Sequence, residues 1–210
     1  MSASIENPHF LLRRLHSLLG LLPVGAFLIF HLWENSQSRF GAEHYNEQVV
    51  AALKGMNYLP LMEIFVIALP LLFHAGYGLV ITAQMRAELA RYSYTRNRLY
   101  WMQRISGIGI LLFLLLHVGM TRLAGILDPS VGDDLFAHMQ AMLSQPWMLG
   151  LYLVGLLLSV FHLANGLASM AIVWGLTTSA RAQRLFGWFC VLIGVVSAAM
   201  GVHGLMGFLS

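Results

Sequence analysis

Five stretches of the chain are almost unbroken runs of apolar residues, near 15–33, 59–83, 101–123, 147–174 and 185–209. At about 1.5 Å of rise per helical residue, each is long enough to cross roughly 30 Å of hydrocarbon. None shows the period-two alternation of a barrel strand. In lipid every backbone N–H and C=O must be satisfied within the segment, so the pattern predicts five transmembrane α-helices. The segments between them read as short, polar connections. Pro23 and Pro70 fall inside predicted spans, where each removes a backbone donor and is expected to kink its helix.

Composition agrees with the pattern. Apolar residues make up 58% of the 210 positions and charged residues 10%, against about 25% in a soluble domain. The chain is therefore read as one all-α membrane domain with no room for a large soluble one. The single cysteine, Cys190, lies in an apolar run and is read as a small filler residue. Nothing points to nucleic acid.

Charge placement says more than the net value of +3. Arg13, Arg14, Arg86, Arg91, Arg96, Arg98, Arg104, Arg181 and Arg184 fall on one side of the predicted membrane. Arg39, Lys54 and Arg122 fall on the other, with nearly all the acids. The positive-inside rule then places the N-terminus in the cytoplasm and the C-terminus outside. Arg13-Arg14 before an apolar run also resembles a twin-arginine export signal. No convincing small-x-small cleavage site follows, and four more spans do, so the pair is read as an anchor of the first helix.

Nine histidines are present. His9, His44 and His138 fall in tails or loops, His16 at the inner edge of the first span, and His203 deep in the fifth. His31, His74, His117 and His162 are distributed one to each of spans one to four. Ionisable residues inside a bilayer are costly and are functional candidates by default. One such histidine could be a satisfied packing residue, whereas four at matched depths are harder to explain that way. His31 and His117 fall about sixteen residues into outward-running helices, and His74 and His162 about fifteen into inward-running ones. They sort into an outer pair and an inner pair, separated by about 13 Å of helix rise. Two imidazoles at one level on different helices suit axial ligation of a haem iron. A zinc site would want four ligands at one point. The expectation is two stacked b-type haems, and with no Cys-x-x-Cys-His, covalent attachment is excluded.

An internal repeat is visible. Phe73-His74-Ala75-Gly76-Tyr77-Gly78 parallels Phe161-His162-Leu163-Ala164-Asn165-Gly166, with glycine one turn beyond each histidine. More loosely, Arg14-Leu15-His16-Ser17 parallels Arg104-Ile105-Ser106.

These segments carry a resemblance to a known family. Arg13-Arg14-Leu15-His16-Ser17-Leu18-Leu19-Gly20, Phe27-Leu28-Ile29-Phe30-His31-Leu32, Glu63-Ile64-Phe65, His74-Ala75-Gly76-Tyr77-Gly78, Tyr92-Ser93-Tyr94-Thr95-Arg96-Asn97, Gln103-Arg104-Ile105-Ser106-Gly107 and Phe161-His162-Leu163-Ala164-Asn165-Gly166-Leu167 occur in fixed order. Together they resemble the single-polypeptide, di-haem cytochrome b anchor of succinate dehydrogenase and fumarate reductase complexes, over essentially the whole chain. The resemblance implies a bacterial cytoplasmic-membrane subunit with an outer haem on His31 and His117 and an inner haem on His74 and His162. It implies a flavoprotein and an iron–sulfur subunit on the cytoplasmic side, menaquinone as diffusible substrate, and room for a higher oligomer of the whole complex. This chain has neither a dinucleotide fingerprint nor a cysteine set for a cluster, so those chemistries fall to partners. The Arg86–Arg104 region, with Tyr92 and Tyr94 among its arginines, is the docking candidate. Some family members carry a proton-conducting glutamate two residues before the fourth ligand. This chain has Val160 there.

Arg14, His16, Ser17 and Arg104 gather at the inner edge and are candidates for haem propionates, or serve as membrane anchors. Glu63 and Glu34 lie near the outer end and are candidates for the quinone. Two other classes remain open at this stage, another membrane cytochrome b and a histidine-lined transporter. The near absence of mid-span acids disfavours the transporter. The unmatched His16–His31 spacing, found on one helix only, disfavours cytochromes with two ligands per helix.

Overall fold

The computed structural model describes residues 8–84 and 93–210. Arg86, Arg91 and Tyr92 of the docking candidate lie outside these residues. Among the described residues five helices are long and apolar enough to cross a membrane. They are α1 (His9–Phe40), α2 (Leu59–Ala83), α3 (Thr95–Leu127), α4 (Pro146–Val173) and α5 (Ala180–Gly207). Helix α4 packs on α3 and α5, α5 returns against α1, and α2 lies against α1 and α3. The four histidine helices thus close a ring, and α5 buttresses it from outside.

The outward faces are apolar and open, as a bilayer solvent requires. Leu112, Leu115 and Trp188 are about two-thirds exposed. Lipid gives helices no hydrophobic reason to associate, so close backbone approach holds the ring. A Cβ at Gly201 would meet Leu156 at 2.4 Å, and one at Gly204 would meet the Asn35 carbonyl oxygen at 2.8 Å. Ser38 Oγ, fully buried, donates to the Gly204 carbonyl at 2.7 Å and ties α1 to α5.

The connections at the end bearing Glu34 differ from the short polar links expected of them. Residues 42–54 are helical, as are Pro129–Asp133 and Leu135–Leu143. They fold into a cap whose buried cluster joins Tyr45, Val49, Val50, Phe136, Met139 and Leu143 to Met148, Tyr152 and Phe208. Water is the solvent there, so burying these side chains has the driving force that the lipid-facing helices lack. Asp134 caps Leu135–Leu143 by accepting from the Ala137 N–H at 3.0 Å, and Asn46 donates to the same carboxylate at 2.9 Å. Those two contacts hold the Asp134 carboxyl below the usual range, the backbone N–H contributing more. Lys54 and Asp133 close the cap's edge at 2.7 Å.

Three of the four histidine helices contain one widened turn of the i→i+5 type, at Gly20–Gly25 in α1, Glu63–Ala68 in α2 and Gly119–Leu123 in α3. Such turns insert one residue and re-aim the helix beyond them. Pro23 lies inside the first, and Pro70 lies two residues beyond the end of the second. Cys190 is buried in α5, as expected of a filler residue.

Candidate functional site

The ring of helices brings the four histidines together in the pairs read from the sequence. The His31 and His117 rings have centroids 5.8 Å apart at 72°, and His74 and His162 have centroids 6.1 Å apart at 87°. Among the described residues no three His, Cys, Asp or Glu side chains gather at one point. Each pair can give a metal two protein ligands, and the rest of its coordination must come from a non-protein group.

Glycines let the neighbouring helices come close to the His74 and His162 pair. A Cβ on Gly20 would fall 2.2 Å from His74 Cε1 and 2.3 Å from its Nδ1, so α1 approaches His74 as only glycine permits. Gly107 does the same for His162, at 3.1 Å from Cε1. The glycines one turn beyond the α2 and α4 histidines face the opposite helices. Gly78 would meet the His16 ring and Gly166 the Gln103 amide, each at 3.2 Å.

The rings are also aimed by hydrogen bonds. His74 Nδ1 lies 2.9 Å from the His16 carbonyl, which can only accept, so that nitrogen carries the proton and Nε2 keeps its lone pair. Ser106 donates to the Gln103 carbonyl at 3.0 Å, leaving its oxygen to accept from His162 Nδ1 at 3.1 Å. Tyr152, buried in α4, places its hydroxyl 3.2 Å from His117 Nδ1. His31 is held differently. The Asn35 amide nitrogen sits 3.4 and 3.3 Å from its two ring nitrogens and donates to its carbonyl at 2.8 Å. The Tyr45 hydroxyl in turn donates to Asn35 Oδ1 at 3.2 Å. Burial first, then the nearby Glu34 carboxylate, push the Tyr45 phenol well above its usual range, so it stays a donor.

At the inner edge the His16 ring stacks on His74 with centroids 4.1 Å apart and planes within 2°. Arg14 lies over Phe10 and Trp174, and Arg104 over Tyr100. Among the described residues the buried side-chain N and O atoms lacking a hydrogen-bond partner are Arg14 Nε, His16 Nδ1, Arg104 Nε and Thr177 Oγ1. Three of those four belong to the inner-edge set singled out from the sequence. Ser17 is otherwise engaged, donating to the Arg14 carbonyl at 2.8 Å and accepting from Trp174 Nε1 at 3.0 Å.

The two outer carboxylates differ. Glu63 is paired with Arg122 at 2.6 Å on a partly exposed surface. Glu34 is 8% exposed and borders a cavity of about 240 Å³ shared with Trp33, Gln37, His44, Gln48 and Val49. In the docking candidate, Arg96 hydrogen-bonds to Gln183 at the start of α5.

Sequence reasoning gave no role to Tyr152, Asn35, Gln103 or Asn165. Asn165 donates to Gln103 Oε1 at 2.6 Å, and Gln103 donates to the His162 carbonyl at 3.0 Å. The available signal was their polarity inside or at the rim of apolar spans.

Residues 82–201 match the family described as Succinate dehydrogenase/Fumarate reductase transmembrane subunit. Over 205 residues the chain is 42% identical to the Succinate dehydrogenase cytochrome b558 subunit of Bacillus subtilis (strain 168), covering 96% of this chain and 98% of that one. This chain belongs to the succinate dehydrogenase/fumarate reductase transmembrane subunit family and is a membrane anchor subunit of that enzyme complex.

Proposed function

We propose that the chain carries electrons between the iron–sulfur subunit of its complex and menaquinone, through two b-type haems held by His31 with His117 and by His74 with His162. The observation that carries this reading is the spacing of the two imidazole pairs. A metal–imidazole bond is about 2 Å and a ring nitrogen lies about 1 Å from its ring centre, so one iron between two imidazoles sets the centroids about 6 Å apart. Both pairs stand at that separation.

Bound iron porphyrin supplies one-electron carriage at two depths of the bundle. The protein's part is to fix the ligands and the surroundings. His74 and His162 are aimed through their Nδ1 atoms by the His16 carbonyl and Ser106, which leaves Nε2 as the nitrogen to ligate. Arg14, His16 and Arg104 offer unpaired buried N–H groups where two propionate carboxylates need donors, and Arg suits carboxylates well. Ser17 supports that edge through Trp174 rather than by offering a donor.

Succinate oxidation belongs to a flavoprotein and an iron–sulfur partner on the side of the nine basic residues, which we assign to the cytoplasm. Glu63 and Glu34 remain the groups able to exchange protons with quinone at the opposite end. A dithionite-reduced minus oxidised spectrum of the purified complex, with haem quantified per anchor chain, tests the proposal. Two haems per chain are expected, and His31→Ala should remove one and leave the other. A chain free of haem, or equal loss of both haems from a variant that keeps its helix content, would refute it.

A further inference from the structure

The two histidine pairs draw their positioning contacts from different parts of the molecule. Those of the inner pair come from the spans, namely the His16 carbonyl on α1 and Ser106 and Gln103 on α3. Those of the outer pair lead to Tyr45 and Tyr152, two tyrosines of the buried cluster that forms the cap.

The contact from Tyr45 runs through Asn35, and its direction is fixed. The His31 carbonyl can only accept, so the Asn35 atom 2.8 Å from it is the amide nitrogen. Asn35 Oδ1 therefore faces Tyr45, whose hydroxyl donates to it at 3.2 Å. The same amide nitrogen stands against the His31 ring, 3.4 and 3.3 Å from its two nitrogens. Turning the amide over would set its oxygen against the His31 carbonyl oxygen. Tyr45 and the His31 carbonyl together hold the group that touches the ring.

The cap holds Tyr45 in turn. Its ring centroid lies 5.1 Å from that of Phe208 at the end of α5 and 6.1 Å from that of Phe136 in Leu135–Leu143. The Phe136 and Phe208 rings are themselves 5.2 Å apart. Tyr152 belongs to the same buried cluster and meets the His117 ring edge-on, with centroids 5.6 Å apart. One packed core therefore ends on both outer imidazoles. Such a core has few voids, so a change in one part of it is felt across the rest.

We propose that the cap is the positioning element of the outer pair, with Asn35 and Tyr45 holding His31 and Tyr152 holding His117, so that the packing of the cap sets the potential of the outer haem and not that of the inner one. This deepens the proposed function and rests on its two-haem part. Groups that orient a metal's ligands tune the metal as well.

The test is a redox titration of both haems in the whole complex, with amide hydrogen exchange followed over residues 42–54 and 129–143. Tyr45→Phe keeps the ring in the cap and removes the hydroxyl that fixes Asn35. It should change the one-electron equilibrium of the outer haem about two- to threefold, or about 20–30 mV at 59 mV per tenfold. Val49→Ala loosens the same core through an apolar side chain. It should speed exchange in the cap about fivefold and move the outer potential as well. The inner potential should hold its parent value in both variants. An outer potential unchanged in Tyr45→Phe, or unchanged in Val49→Ala while the cap exchanges faster, overturns the proposal. Equal shifts at both haems also overturn it. Haem quantified in the same samples keeps the two readings apart. Two haems with an unresponsive outer potential sink the role of the cap and spare the electron-transfer role, whereas a parent chain lacking the outer haem sinks both.

Discussion

Replacing Gly20 with alanine is the sharpest perturbation the inner pair allows. The added Cβ would lie 2.2 Å from His74 Cε1 and 2.3 Å from Nδ1, whereas ordinary contact begins at 3.4 Å. About 1.2 Å of movement is required, and the obstacle is a ring already held by the His16 carbonyl and by stacking on His16. Overpacking of this kind costs about 1–3 kcal/mol, and losing the His74–His16 hydrogen bond adds about 0.5–1.5 kcal/mol. Alanine's helical preference over glycine returns about 0.5–1 kcal/mol. The net is on the order of 1–3 kcal/mol, or roughly 5- to 150-fold in occupancy of the inner site. Gly76 is the internal control, because a Cβ there meets nothing within 4 Å. Gly76→Ala should keep both haems and melt no lower than the parent. Gly20→Ala should lose the haem of His74 and His162, or bind it with an altered potential, while the other stays. The assay is a redox titration followed at the haem bands, with helix content checked by circular dichroism. If Gly20→Ala titrates like Gly76→Ala, the close approach of α1 to His74 does not set the inner site.

Tyr152→Phe removes the hydroxyl beside His117 Nδ1 and should shift the outer midpoint potential by about 20–60 mV, a hydrogen bond of about 0.5–1.5 kcal/mol expressed per electron. An unchanged outer potential, or a shift in the inner one, would contradict the pairing. Ser106→Ala is the matching change at His162 and should move only the inner potential. The cap should respond to acid through Asp134. Its folded-state pKa is depressed, so its stabilisation is full above the unfolded-state value near 4 and is lost as pH falls through the folded value. Asp134→Ala should therefore lower thermal stability by about 1 kcal/mol near neutral pH, and the gap from the parent should narrow as the medium is acidified below the unfolded-state value. A gap independent of pH would show that the carboxylate is not the cap. Glu63→Gln should change stability by less than about 1 kcal/mol, as expected for a partly exposed ion pair, which denaturation in detergent would measure.

How much of this was legible in the sequence follows from what lipid enforces. A bilayer demands long apolar helices and taxes each buried ionisable group, so the five spans and the depths of His31, His74, His117 and His162 stand out in one dimension. Partners across the ring do not, because they depend on helix rotation. Tyr152 reads as one more aromatic in an apolar run until α4 is turned to face His117. The cap was read as polar linkers because its apolar positions, among them Tyr45, Val49 and Phe136, are scattered through short helices and meet only in space.

The internal repeat shows the same limit and also how it is overcome. Between the ring-facing glycine and the outer-pair histidine lie eleven residue steps in α1, from Gly20 to His31, and ten in α3, from Gly107 to His117. On regular helices those spacings would put the two histidines about 100° out of register. The widened turn at Gly20–Gly25 absorbs the extra residue, and α3 has no such turn between its two positions. With that correction α1 matches α3 and α2 matches α4. Gly20 packs on His74 as Gly107 packs on His162, and Gly78 faces His16 as Gly166 faces Gln103. In this register His16 corresponds to Gln103 and Ser17 to Arg104, so the looser parallel of Arg14–Ser17 with Arg104–Ser106 is not kept. His16 and Gln103 each hydrogen-bond to the inner histidine of the neighbouring helix, His16 through its carbonyl to the His74 ring and Gln103 through its amide to the His162 backbone. Two helix pairs of like design therefore frame two like sites, and the repeat marks His16 as a residue that positions His74 as well as one that edges the membrane.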